Sequence, residues 1–226
     1  MFIPLKDLNP RRSYPIVNNT LILLNVLVFL YQYTLPQNAF KMFMIANATV
    51  PARFPAWLSG NVPFEAAFLP LLTSMFLHSG IAHIAGNMLF LWIFGDNVED
   101  FYGHFTYLLF YLVCGVGSGL LHVLFNLNSA VPALGASGAI SGVMGAYGLL
   151  YPRARILTLV FIFLVPIPAV IILGYWFVLQ FLAGITSLGM TANGGVAVWA
   201  HVGGFLLGML ITSMARGGQS ARWQSA

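Results

Sequence analysis

Residues 135–150, Gly-Ala-Ser-Gly-Ala-Ile-Ser-Gly-Val-Met-Gly-Ala-Tyr-Gly-Leu-Leu, are apolar enough to enter a membrane and carry a serine, Ser137, near their start. A second apolar run, Ala200-His201-Val202-Gly203-Gly204-Phe205-Leu206-Leu207-Gly208, carries a histidine. Hydrocarbon tolerates an ionisable side chain poorly, so a histidine at membrane depth points to function. A serine at matching depth on another helix narrows that to a nucleophile and its base, working inside a bilayer.

The composition agrees with a membrane setting. Of 226 residues, 59% are hydrophobic and only 6% charged, against about a quarter charged in soluble domains. The mean hydropathy is +0.87 and the pI about 9.4. The bases neither cluster nor interleave with exposed aromatics, which disfavours nucleic acid as a partner. The single cysteine, Cys114, lies in an apolar run and leaves no internal disulfide or cysteine metal site.

Hydropathy predicts an all-α, polytopic membrane protein with six spans near 16–35, 72–95, 104–126, 136–151, 168–185 and 196–214. Residues 1–15 then form an N-terminal cytoplasmic segment, 16–214 the membrane domain and 215–226 a cytoplasmic tail. The N-terminus is polar and the first apolar run is long enough to span and stay, so no cleaved leader is expected. The connection 36–71 reads as a folded, partly interfacial loop. Pro166 and Pro168 divide the long apolar stretch after Arg155, so 156–166 reads as surface-lying or re-entrant. With the N-terminus inside, Lys6, Arg11, Arg12, Arg153, Arg155, Arg216 and Arg222 fall on the cytoplasmic side, and only Lys41 and Arg53 outside. The acidic turn Asp96, Glu99, Asp100 also falls inside. No internal repeat of the transporter kind is visible.

Depth follows by counting. Ser137 lies 16 residues before Arg153, and His201 lies 15 before Arg216. At about 1.5 Å per residue, each is roughly 23 Å from its arginine, at nearly one level below the outer surface of a core of about 30 Å. Ser141, Gly145 and Gly148 follow Ser137 along one side, with Gly138 and Gly142 adjoining. His201, Gly204 and Gly208 share a face of the last span. Both Gly138-xxx-Gly142 and Gly204-xxx-Gly208 permit close helix approach. On spacing alone, a glycine-rich face with a stray histidine accounts for the pattern equally well.

The second span adds His78, His83 and Asn87. His83 and Asn87 are one turn apart on one face, and His83 reaches about the depth of Ser137. With the Ser137 N–H they could supply donors to a developing oxyanion. A metal cluster of His78, His83 and His201 is disfavoured, since no carboxylate joins it and His78 and His83 are spaced i, i+5 rather than i, i+4, so no cofactor is expected. None of Asp7, Glu65, Asp96, Glu99 or Asp100 reaches the depth of His201, so a serine hydrolase here would use a dyad. His122, His104, Trp92, Trp176 and Trp199 read as packing or interfacial residues.

These motifs resemble the rhomboid family of intramembrane serine proteases, in its bacterial branch. The matching elements are Gly135-Ala136-Ser137-Gly138, Ala200-His201-xx-Gly204-xxx-Gly208, His78-xxxx-His83-xxx-Asn87, and Gly95-Asp-Asn-Val-Glu-Asp100 followed by Gly103-His104. They cover residues from about 70 to 214 in the family's order. The resemblance implies a six-helix bundle whose short fourth helix starts inside the membrane with the serine at its top. It implies Ser137 as nucleophile, His201 as general base and then acid, and His83 and Asn87 at the oxyanion. His78, Gly135 and Gly138 would be supporting residues. It further implies a mobile cap at 184–195 (Gly184, Gly189, Gly194, Gly195) and a lateral gate at the fifth span. Ser141 stands where some members carry a tyrosine beneath the histidine.

The expected activity is hydrolysis of peptide bonds in or near transmembrane segments, in a multi-pass protein of the bacterial plasma membrane. Water must reach the site from the outer side, with Asn128 and Ser129 as candidate linings, and a helical substrate must unwind before attack. Substrates weakened by Gly or Pro, with a small residue at the cut, follow from that. Two other classes compete. One is a catalytically inactive relative that binds membrane proteins, disfavoured by the intact Ser137, His201, His83 and Asn87. The other is a small channel or transporter, disfavoured by the lack of embedded acids and inverted repeats.

Overall fold

The structure is a computed structural model and describes residues 2–187 and 197–224. It is mostly helical, with one small sheet. The first long helix is α1 (Ile16–Thr34), and four short ones follow it: α2 (Gln37–Asn47), α3 (Arg53–Leu58), α4 (Phe64–Phe68) and α5 (Pro70–Thr73). Then come α6 (Ile81–Tyr102), α7 (His104–Phe125), α8 (Ser137–Leu150), α9 (Ala169–Ser187) and α10 (Val198–Gln224). Among the described residues, α1, α7, α9 and α10 are each long and apolar enough to cross a bilayer. The segment Phe64–Phe76 meets α6 at a 78° bend, and α8 is a shorter apolar helix. The six runs expected from hydropathy thus fall on four full-length helices, one bent pair and one short helix.

Three boundaries differ from the sequence reading. The second run begins at Ile81 rather than 72, because His78-Ser79-Gly80 breaks the chain, and it continues to Tyr102. The expected acidic turn is therefore helix; Asp96 accepts from Asn97 of the same helix, while Glu99 and Asp100 serve the start of α1 and the residues just before it. Glu99 accepts the backbone N–H groups of Val17 (3.0 Å) and Asn18 (2.7 Å), and Asp100 accepts those of Arg12 and Ser13. Pro15 precedes α1 without a side-chain cap of its own, so α6 supplies the anionic cap that a helix N-terminus favours. The last helix runs on to Gln224, through most of the segment expected as a tail.

Residues 156–166 lie at the surface, as one of the two expected readings had it, but as strands and not as a re-entrant segment. Strand β1 (Phe2–Asp7) pairs antiparallel with β2 (Arg155–Val160), which forms a hairpin with β3 (Phe163–Pro168), in the order β1-β2-β3. The β-branched residues Ile156, Thr158 and Val160 suit a strand. Pro166 and Pro168 lie on edge strand β3, where a missing N–H does not break the ladder. The prolines therefore belong to the sheet, and they do mark where the apolar stretch divides: β3 ends at Pro168 and α9 begins at Ala169. The N-terminal strand is invisible to local patterning, because its partner lies about 150 residues away.

The centre of the molecule is α8, buried continuously from Gly138 to Tyr147. Its neighbours approach to backbone contact. A Cβ added at Gly204 or Gly208 would stand 2.1 or 2.0 Å from the carbonyl oxygens of Gly138 and Gly142, and one at Gly145 would stand 2.2 Å from that of Phe205. Gly138 and Gly142 also receive Ser118 and Cys114 of α7. At the far end of α8, Arg216 donates to the Leu149 carbonyl (3.0 Å) and Tyr147 donates to Asp7 (2.7 Å). Arg216, one of the two arginines from which depth is counted, thus does lie at the opposite end of α8 from the serine.

This packing sets the expected effect of one methyl group. Gly208→Ala has no side chain to displace, only the Gly142 backbone, so it should cost at least the roughly 1–3 kcal/mol of ordinary overpacking. It should lower the melting temperature in detergent and weaken the Ser137–His201 contact; an unchanged melting curve would show that α8 and α10 tolerate separation.

A further expectation concerns pH. Burial pushes the Asp7 carboxyl up to about 6, against the opposing hydrogen bonds from Tyr147 and the Asn9 N–H. A folded pKa above the unfolded one means that the folded state holds this proton more tightly. Its stabilising contribution is full below about pH 4 and fades as pH rises through about 6. Asp7→Asn still accepts from Tyr147, so its melting temperature should fall less than that of the wild type between about pH 4 and 7.

Candidate active site

Ser137 is the first residue of α8. Its N–H belongs to the first turn, which lacks acceptors within the helix and carries the positive end of the helix dipole. The preceding chain is held by the Gly135 N–H donating to the Ser74 carbonyl (2.8 Å). Ser74 is in turn tied to Thr49, whose backbone pairs with Ala133. The folded loop 36–71 therefore braces the length of chain that delivers the serine.

The pair expected from the sequence is brought together: Ser137 Oγ lies 2.7 Å from His201 Nε2. His201 is only 8% exposed, so this is a desolvated hydroxyl–imidazole contact. Its other ring nitrogen, Nδ1, lies 2.9 Å from Oε1 of Gln180 in α9. One turn earlier on α9, the Trp176 ring sits 5.9 Å from the imidazole, tilted by 38°. Sequence reasoning misses Gln180 and takes Trp176 for an ordinary membrane aromatic. The available signal is that Gln180 is the one side-chain amide in α9, a helix without charges; an amide in hydrocarbon needs a partner. Ser141 turns back along its own helix to donate to the Ser137 carbonyl (2.6 Å).

His83 and Asn87 stand against the Gly135 turn. A Cβ on Gly135 would come within 2.7 Å of His83 Nε2 and 3.5 Å of Asn87 Nδ2, and φ there is +118°. Only glycine fits on both counts. The Ser79 N–H reaches His83 Nδ1 (3.4 Å), which leaves the proton on Nε2, toward the site. Asn87 donates to His78 Nε2 (2.9 Å) and keeps a second amide hydrogen. His78 is clamped by Gln32 of α1, which accepts its N–H (3.2 Å) and donates to its carbonyl (2.9 Å). Gln32 is a second residue that sequence reasoning does not find.

Three cavities meet at Ser137. The largest, about 670 Å³, is lined by His83, Asn87, Val131, Leu134, Ala197 and His201 besides Ser137. A second of about 240 Å³ opens between α6, α8 and α9, past Gly86, Phe90, Met144 and Trp176. A third of about 40 Å³ lies behind the serine, against Ser118, His122 and Gly138. Ser129, expected to line the funnel, instead closes a turn by accepting the Val131 N–H (3.2 Å). Of the expected cap, Gly189, Gly194 and Gly195 lie outside the described residues, while Gly184 belongs to α9 and packs on Trp199.

The Rhomboid domain family model matches residues 65–217. The chain belongs to the rhomboid family. It is 32% identical over 152 residues to "Rhomboid protein 1, mitochondrial" of Saccharomyces cerevisiae, covering 63% of this chain and 40% of that protein. It is 47% identical over 76 residues to "Rhomboid protease GluP" of Bacillus subtilis, covering 34% of this chain and 14% of that protein. A third relative, "RHOMBOID-like protein 6, mitochondrial" of Arabidopsis thaliana, is 34% identical over 141 residues, 62% of this chain and 41% of that protein. The chain therefore spans less than half the length of these rhomboid relatives. It is an integral, multi-pass membrane protein, and its rhomboid relatives come from mitochondria as well as from a bacterium.

The Gly135 turn gives a prediction with an internal control. Gly135→Ala combines a strained φ with a collision against His83, whereas Gly60→Ala, at φ +77° with nothing within 4 Å of the new Cβ, carries strain alone. Reaction of Ser137 with a serine-directed covalent probe should slow at least about tenfold in Gly135→Ala, by analogy with loss of one oxyanion donor, and stay near wild type in Gly60→Ala. Equal reactivity in both would show that the His83–Gly135 contact has no bearing on the serine.

Proposed function

We propose that the protein is an intramembrane serine endopeptidase that cuts membrane proteins in or near their transmembrane segments with a Ser137–His201 dyad. The observation that carries this is the 2.7 Å contact between Ser137 Oγ and His201 Nε2 at the meeting point of the cavities. As Oγ attacks the scissile carbonyl carbon, its proton passes to Nε2, and the same proton then goes to the leaving amine. Water entering through the large cavity loses a proton to His201 as it attacks the acyl carbon; the ester bond to Ser137 then breaks, His201 returns that proton to Oγ, and the carboxylic acid product leaves.

The charge on the carbonyl oxygen would fall among the Ser137 N–H, the His83 Nε2–H and the free amide hydrogen of Asn87, donors already placed before reaction. No carboxylate takes part in this scheme: Asp7 and Glu99 are engaged with Tyr147 and the start of α1. A substrate helix must unwind to present a peptide to Oγ, so Gly or Pro near the cut favours cleavage. The 40 Å³ cavity behind Ser137 supports a small residue there, since it holds little more than one or two waters. The gathering of arginines at the other end supports cytoplasmic termini and an outward-opening site, in a bacterial plasma membrane on this reading.

The test is covalent labelling of the detergent-solubilised protein by a serine-directed probe, beside Ser137→Ala and His201→Ala. Labelling should vanish in the first and fall about a thousandfold or more in the second, and a reconstituted transmembrane substrate should be cut by the wild type only. A folded wild type that neither labels nor cuts would point instead to a rhomboid-like membrane-protein binder without catalysis.

A further inference from the structure

The reaction above requires one tautomer of His201. Nε2 accepts the serine proton only if it carries none, so the ring's proton must sit on Nδ1 and needs an acceptor there. His201 is only 8% exposed, and an unpartnered N–H on a buried ring is costly, so the ring would drift to whichever tautomer or rotamer satisfies it. Gln180 Oε1, at 2.9 Å, is placed to accept that hydrogen. Resting on the hydrolase reading, we propose that Gln180 is a positioning residue: it holds the proton of His201 on Nδ1 and so keeps Nε2 free as the base for Ser137.

The source of this residue matters. Ser137 and His201 belong to α8 and α10, which touch through their backbones, whereas Gln180 comes from α9. That helix meets the site through Trp176 and Gln180, one turn apart, and leaves Val178, Leu179, Phe181 and Leu182 exposed to lipid. The 240 Å³ cavity opens along it, with Trp176 in its wall. A substrate arriving between α6 and α9 would press on the helix that orients the base. The serine and histidine can therefore stay in contact while the proton arrangement depends on whether α9 is docked. The Oγ proton moves to Nε2 during attack, and the Nδ1 proton stays hydrogen-bonded to Oε1 throughout, so no further group is needed to balance the step.

The experiment combines nitrogen-15 imidazole NMR, which reports which ring nitrogen carries the proton, with turnover of a transmembrane substrate. Wild type, Gln180→Leu and Gln180→Glu are compared, and His201→Ala assigns the signal. Leucine suits the lipid-facing helix and should fold. In the wild type the His201 proton is expected on Nδ1. In Gln180→Leu the Nδ1–H population should drop and kcat should fall about tenfold to a hundredfold, the lower range for misplacing a general base, with KM within about twofold. Gln180→Glu, whose carboxyl can be buried in its neutral form, still offers a carbonyl oxygen as acceptor and should restore the Nδ1–H form and most of kcat. An Nδ1–H form that persists in Gln180→Leu overturns the inference whatever the activity. A wild type without turnover whose tautomer still shifts in Gln180→Leu upholds the positioning contact and overturns the hydrolase reading instead.

Discussion

The structure depends on two helices meeting without side chains between them. Gly204 and Gly208 of α10 lie on the carbonyls of Gly138 and Gly142, and Gly145 on that of Phe205. In lipid there is no hydrophobic drive to hold helices together, so such contacts work by dispersion over closely matched backbones. Their effect on the site is geometric. Ser137 stands one residue before Gly138, and His201 stands about one turn before Gly204 and Phe205. The same glycines that set the helix spacing therefore set the distance between hydroxyl and imidazole. A wider crossing, as any methyl group would impose, would leave a serine and a histidine at the right depth and too far apart to share a proton.

A second constraint is that polar groups away from water must find partners within the bundle. Asn18 donates to the Leu91 carbonyl and accepts from Tyr107. Gln32 closes both backbone groups of His78, and His78 accepts from Asn87. Glu99 receives the start of α1 and, at 2.5 Å, His104. Each of these contacts joins residues of different elements, so satisfying the polar groups also fixes how the elements meet. The oxyanion candidates inherit their positions from this network. Asn87 is aimed by His78, His78 is held by α1, and His83 is turned by Ser79.

What can be read from the sequence follows from period and depth. The apolar runs locate the starts of α1, α7, α8, α9 and α10 within a few residues, because an uninterrupted hydrophobic helix announces itself at about 20 residues. Counting to arginine brings Ser137 and His201 to one level because a helix rises by a nearly constant step. The misses have equally physical causes. The start of α6 is misplaced because the short helices before it are as apolar as a span, and only the His78-Ser79-Gly80 break separates them. β1 escapes notice because a strand's partner is not visible in its own residues, and the prolines of β3 are tolerated only on an edge. The lone amide of Gln180 signals only that it needs a partner; that the partner is His201 depends on which face of α9 turns toward α10.

The depth of the site also explains the kind of group that stands behind His201. A carboxylate there would stabilise the imidazolium of the proposed reaction, as the third residue of a triad does. At membrane depth, however, a carboxylate adds about 2.5–3.5 kcal/mol to the cost of inserting its helix on the translocon scale. α9 is the most lipid-exposed of the long spans, with 17% of its apolar window buried, so it has little packing with which to offset such a charge. An amide supplies the acceptor without the charge. In the proposed reaction it would fix the direction of the imidazole proton but do little for the imidazolium, so the base would act with the help of geometry more than of electrostatics. The burden of transition-state charge would then shift to the other side of the proposed reaction, to the N-terminus of α8, His83 and Asn87. In a bilayer this division is the consistent one: neutral donors and a helix end can be buried, while a fixed negative charge beside the histidine cannot be buried cheaply.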